Sequence, residues 1–161
     1  MRIRPPREVR ARVPGERVLA WMPSGVSSMI ATEQALVLPA GSAPERLAWD
    51  LVLRASWEPD SVEVISQDVA GGRPLSRRIA VESDPGVLPH VVRERVMASI
   101  VVQHHVALDG ERGARMVARR EAGSTDLRWS VVFDAGLDPA DPVLRARADE
   151  ALAEVRASLG I

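Results

Sequence analysis

The sequence predicts an α+β fold: a bent antiparallel barrel or sheet of seven or eight strands, with a helix inserted near 89–102 and a C-terminal capping helix over 142–159. Three observations predict it. Short runs of alternating apolar and polar residues, punctuated by Gly and Pro, fill residues 17–83, and alternation with period two is the signature of a half-buried strand. After Pro85 and Pro89 the apolar residues recur at helical spacing. The last twenty residues carry a single apolar stripe between an N-cap signal and a glycine stop.

The chain has 161 residues. At this length one domain, here residues 16–160, buries roughly 70% of its unfolded surface and folds without a metal or a disulfide. Cysteine is absent, which excludes thiol redox chemistry, thiolate metal sites and cysteine nucleophiles. No window holds the ~20 apolar residues of a membrane-spanning helix, and the first 25 residues contain no apolar run that reads as a leader. A cytoplasmic protein is expected. All 21 basic residues are arginine and the formal net charge is −1, so no global field attracts polyanions. The charge is unevenly placed. Residues 1–17 hold six arginines and two glutamates, a net +4.

Residues 1–15 contain Pro5, Pro6, Pro14 and Gly15 and show no period. They read as a basic, flexible arm, extended or disordered. "RVLAWMP" (17–23) is a candidate strand, and "SMIATEQALVL" (28–38) reads as two short strands about Glu33–Gln34. "LAWDLVLRASWEPDSVEV" (47–64) gives the clearest pattern. Its odd positions Leu47, Trp49, Leu51, Leu53, Ala55 and Trp57 are all apolar, so one continuous face of a bent or bulged strand is expected to be buried. "EPDS" (58–61) turns the chain, and "VEVIS" (62–66) returns antiparallel. "AGGRP" (70–74) turns again into "RRIAVES" (77–83). In 89–102, Val92, Val96 and Ile100 recur with Met97 and Val101 at helical spacing behind Pro89. "ARMVARRE" (114–121) and "LRWSVVFD" (127–134) are two more strands, joined by "EAGSTD". Asp141 and Pro142 open the last helix; Leu144, Ala148, Ala151, Leu152, Val155 and Leu159 form its stripe, and Gly160 ends it.

The segments "GERVLAWMP" (15–23), "ATEQALVL" (31–38), "LAWDLVLRASWEPDSVEV" (47–64) and the final helix resemble bacterial pleckstrin-homology-like domains. The chain is also similar to an uncharacterised actinobacterial protein family. The resemblance implies a bent, partly open β-barrel plugged by a C-terminal helix, and no catalytic residues. The helix at 89–102 departs from the simple version of that fold.

Candidate sites follow from chemistry. Trp49 and Trp57 share the all-apolar face and are expected to pack, Trp57 being the more exposed beside its turn. Trp129 is expected in the core; Trp21 is less constrained. His104 and His105 are adjacent, and adjacent residues face different ways on either regular element, so no metal site is assigned. They read instead as the last turn of a helix, where imidazolium complements the dipole. "PSGVSS" (23–28) lacks the strand–turn–helix context and second glycine of a nucleophile elbow. "DGERG" (109–113) and "AGGRP" lack the spacing of a phosphate loop. No catalytic residue and no cofactor is assigned. The arginines group as Arg2, Arg4, Arg7, Arg10 and Arg12 in the arm; Arg73, Arg77 and Arg78; and Arg112, Arg115, Arg119 and Arg120. If the last two groups lie on adjacent strands, Arg73, Arg77, Arg78, Arg115, Arg119 and Arg120 make an anion- or partner-binding face. The expected function is a non-enzymatic binding or adaptor module that engages a protein partner through a sheet edge or the groove beside the C-terminal helix. The alternative is nucleic-acid or anionic-membrane association through the arm and the basic strands.

Overall fold

A computed structural model describes residues 3–68 and 74–161. The fold is α+β, with three helices and three antiparallel sheets of four, three and three strands. None of the three sheets closes on itself among the described residues. The chain divides into two compact units. One comprises Met1–Ser99 with Glu121–Gly123, the other Ile100–Arg120 with Ser124–Ile161. No described helix is long and apolar enough to cross a membrane.

The first unit opens with α1 (Arg7–Arg12), where the sequence suggested a flexible arm, extended or disordered. Val9 and Val13 are one helical turn apart, and both are buried against Ile30 and Val37. That i,i+4 pair gives the short helix its reason to form. A four-stranded sheet follows in the order β1 (Val18–Ser24), β2 (Ser27–Thr32), β3 (Ala35–Val37), β4 (Arg46–Ala48). β1 and β2 form a hairpin through Gly25 and Val26. Gly25 has φ +61°, the backbone that a two-residue hairpin loop demands of its first position. "PSGVSS" is therefore a hairpin tip.

The long alternating ribbon is interrupted. Trp49–Leu51 form one 3-10 turn, and only then does β5 (Val52–Trp57) begin. β4 belongs to the four-stranded sheet, whereas β5 pairs with β6 (Ser61–Ser66), which pairs with β7 (Leu75–Ala80). The turn lets one stretch of chain serve two sheets. Trp49, Asp50 and Leu51 are all buried. Trp49 is 4% exposed, and its Nε1 donates to the Thr32 carbonyl at 3.0 Å. Glu58 N donates to Ser61 O at 2.8 Å and closes the β5–β6 hairpin at the expected "EPDS" turn. The turn at "AGGRP" lies almost wholly outside the described residues. α2 (Leu88–Ser99) packs Leu88 and Val92 into the main core with Met22, Leu36, Trp49 and Val62.

The second unit is a meander, β8 (Ile100–Asp109), β9 (Arg112–Arg120), β10 (Leu127–Phe133), and then α3 (Pro142–Ser158). The helix expected to run to residue 102 stops at Ser99, whose hydroxyl donates to Val96 O at 2.7 Å. The β-branched run Ile100–Val101–Val102 then continues as strand. Met116 and Ala114 of β9 pack with Trp129, Val131 and Phe133 of β10 and with Ala148 and Ala151 of α3, as the apolar face of "LRWSVVFD" requires. Asp141 caps α3 by accepting from Val143 N at 2.9 Å. Gly113 is fixed by space: a Cβ there would lie 1.7 Å from the Val106 carbonyl oxygen.

Candidate functional site

The basic strand face does not assemble as expected. β7 and β9 belong to different sheets, so the two arginine groups are not on adjacent strands. Arg73 lies outside the described residues. Arg77 and Arg78 are consecutive on β7 and point to opposite faces. Arg77 Nε donates to the Ala43 carbonyl at 2.7 Å, and its Nη2 shares that acceptor. Arg78 is exposed, opposite Glu63 in the register. Arg115 and Arg119 share a face of β9 and Arg120 takes the other, but Arg119 is only 7% exposed. In the N-terminal segment Arg12 is a structural clamp. It donates to the carbonyls of Ser28 and Leu38 and pairs with Glu45 at 3.0 Å.

His104 and His105 sit within β8 and not in a helical turn, one on each face of the strand. His105 Nε2 lies 2.8 Å from Asp134 Oδ2, which also accepts from Gly113 N at 2.7 Å. The His105 hydrogen bond, then the Gly113 amide, holds the Asp134 carboxyl below its ordinary range. Arg115 stands opposite His105 in the register, and Gln103, with its amide oxygen turned inward, accepts from Arg115 Nε and Nη1 at 3.1 Å each. A histidine oriented by an aspartate is two-thirds of a nucleophilic triad. Ser130 of β10 is the hydroxyl on that face, but β9 lies between it and His105. Two strand spacings, about 10 Å, exceed hydrogen-bond reach. Among the described residues no three His, Asp or Glu side chains are placed to hold a metal ion.

A second polar node stands in the first unit. Arg46 Nη1 and Nη2 donate to the two carboxylate oxygens of Glu16 at 2.7 Å each, and Thr32 Oγ1 donates to Oε1 at 3.0 Å. The Arg46 hydrogen bonds draw the Glu16 carboxyl below its usual range against the opposing effect of burial, with Thr32 assisting. The same contact raises Arg46. Thr32 Oγ1 also accepts from the amides of Gln34 and Ala35 at 3.1 and 3.0 Å. This node shapes the β2–β3 turn; it offers no open position to a ligand.

A groove between α2 and β5 offers room for a partner. Its walls are Leu53, Ala55 and Trp57 from the strand and Val92, Val96 and Met97 from the helix. Its volume is about 540 Å³, within the range of ligand clefts. Val92 anchors the floor at 1% exposed, while Met97 at the lip is 59% exposed. Trp57 is half-buried, as its place beside the turn predicts. The basic side chains on the rim are Arg54, His90 and Arg93, and among the described residues no carboxylate lines the groove. Among the described residues β5 is an edge strand, with β6 as its one paired neighbour. The Glu58–Ser61 bond sets Ser56 and Glu63 as a hydrogen-bonded pair, so the amides and carbonyls of Ala55 and Trp57 point away from β6.

Two other grooves differ in character. One runs from Val18 and Trp21 to Val87, with Arg4, Arg17 and Asp84 giving it charge of both signs. The other is lined by Glu33, Arg46 and Glu121, and two of these are already committed, Glu33 to Arg17 at 3.1 Å and Arg46 to Glu16. The residues of the α2–β5 groove were not assigned to a site from sequence. The available signals were the apolar odd face that ends in Trp57 and the helical spacing of Val92 and Val96. Comparison with protein-family models, with curated proteins and with solved structures finds no match for the chain.

Proposed function

We propose that the chain is a non-enzymatic, cytoplasmic binding module that engages a protein partner through the groove between α2 and β5. One observation carries this: an apolar cleft with an exposed methionine and a half-buried tryptophan lies beside a strand that has one paired neighbour. Apolar surface of this kind, next to free backbone donors and acceptors, is what β-strand addition and groove docking use. The sequence pointed to a sheet edge or to the groove beside the C-terminal helix; the proposed groove lies beside α2 and the edge of β5. The non-enzymatic reading is supported by the separation of His105 and Asp134 from a hydroxyl nucleophile. Nucleic-acid or membrane association through arginines gains less support, because Arg12 and Arg77 spend their donors inside the fold. A pleckstrin-homology-like relationship is retained as part of the proposal, on the succession of antiparallel strands and the C-terminal helix.

The test places a photo-crosslinking amino acid at Met97 and, separately, at Val26 on the β1–β2 hairpin tip, in cells that make the chain. The proposal predicts a discrete protein adduct at position 97 that Trp57→Glu removes, and no such adduct at 26. Identical adducts at both positions, or none at 97, contradict it.

A further inference from the structure

We propose that the occupant of the α2–β5 groove is an extended acidic segment with apolar anchor residues, which adds to β5 as a fourth strand of the β5–β6–β7 sheet. This rests on the groove being a docking site, and it adds the chemistry of what docks.

Charge is the first argument. The three ionisable groups on the rim, Arg54, His90 and Arg93, are all basic or able to become so. Arg54 and Arg93 are exposed and make no hydrogen bond or ion pair among the described residues, and His90 meets Glu94 only at 3.7 Å across one helical turn. Two unpaired guanidiniums beside an apolar cleft repel a basic ligand and leave a neutral one indifferent. They accept carboxylates bidentately. The overall charge of the chain is −1, so this preference is local to the rim.

Backbone is the second argument. The free edge of β5 offers the amides and carbonyls of Ala55 and Trp57. The irregularity between Val52 and Arg54 ends the regular ladder on one side, and the turn at Glu58 ends it on the other. A docked segment therefore gains regular pairing over four or five residues. In an added strand alternate side chains face the same way. One set enters the cleft against Trp57, Val96 and Met97, and carboxylates at the flanks reach Arg54 and Arg93. The other groove with apolar lining carries Arg4 and Arg17 against Asp84, so it has no comparable single sign.

The experiment pans the full chain against three displayed ten-residue peptide pools of equal apolar content, whose remaining positions are acidic, neutral or basic. Each selection is repeated on Met97→Glu and on Arg54→Glu/Arg93→Glu. These three side chains are exposed, and circular dichroism confirms that each variant is folded. The acidic pool alone is expected to enrich. Its binding should fall about tenfold or more in each variant, and should weaken as salt rises, as rim charge pairs do. Enrichment of the neutral or basic pool to the same degree, still lost in Met97→Glu, overturns the acidic occupant and leaves the groove as a docking site. Failure of every pool to bind in a way that Met97→Glu disrupts overturns both.

Discussion

Replacing Trp49 with phenylalanine isolates what holds the turn between the two sheets of the first unit. The indole is 4% exposed and donates to the Thr32 carbonyl at 3.0 Å. Phenylalanine keeps an aromatic ring but loses that donor, and depriving a buried acceptor of its partner costs about 1–3 kcal/mol. The smaller ring also leaves roughly 40 Å³ unfilled, which at about 24 cal/mol per Å³ adds close to 1 kcal/mol. Together the change should destabilise the unit by about 2–4 kcal/mol. Trp57→Phe is the control. Trp57 is half-buried at the groove, with no indole hydrogen bond among the described residues, so its loss should cost under about 1 kcal/mol. Urea unfolding followed by far-ultraviolet circular dichroism measures both. At a slope of about 2 kcal/mol per molar urea, Trp49→Phe should lower the midpoint by roughly 1–2 M. Equal midpoints for the two variants, or a lower one for Trp57→Phe, would refute the assignment of Trp49 to the core and Trp57 to the groove.

Glu16→Gln should cost about 1 kcal/mol at neutral pH, because Arg46, though half-exposed, loses a bidentate anionic partner. The Glu16 carboxyl sits below its unfolded value of 4.5, so its contribution is present above that pH and disappears as pH falls through the depressed folded value. The wild type should therefore lose stability on acidification, and Glu16→Gln should lose less; parallel urea midpoints from pH 6 to 3 would contradict this. Gly113→Ala forces a Cβ to within 1.7 Å of the Val106 carbonyl, and should destabilise the β8–β9 pair by about 3 kcal/mol, read as lost amide protection in hydrogen exchange. His105→Ala should move the Asp134 carboxyl titration upward in carbon-detected NMR, since the His105 hydrogen bond is the largest cause of its depression. Asp141→Ala should cost about 1 kcal/mol by removing the cap on α3, seen as a lower thermal midpoint.

Strand and helix identity were legible wherever a pattern was bounded by strong punctuation. "LRWSVVFD" and the Asp141–Pro142 helix appear where alternation and capping place them. Both tryptophans of the 47–57 ribbon turn inward or half-inward as its odd face predicts. The 3-10 turn was hidden because three consecutive residues, Trp49, Asp50 and Leu51, are all buried. Asp50 at an even position keeps the alternation intact, so the pattern itself carries no sign of the turn. The helix that ends at Ser99 was extended too far because Val96 and Ile100 keep helical spacing across the boundary. The run of β-branched residues from Ile100 was the better guide. In the N-terminal segment, three prolines masked the Val9–Val13 pair that makes a helix worth forming. The groove was least legible of all, since it joins residues 53–57 to residues 89–97. Arginine clustering along the chain misled for the same reason: β7 and β9 are close in pattern but belong to separate sheets.

The most direct measurement is amide hydrogen exchange across β5, with and without an acidic peptide selected on the intact chain. Strand addition predicts slowed exchange at Ala55 and Trp57, whose amides face away from β6, with little change at Ser56, whose amide is already bonded. Unchanged exchange at Ala55 and Trp57 in the presence of bound peptide, with protection appearing elsewhere, would contradict the α2–β5 groove as the docking site.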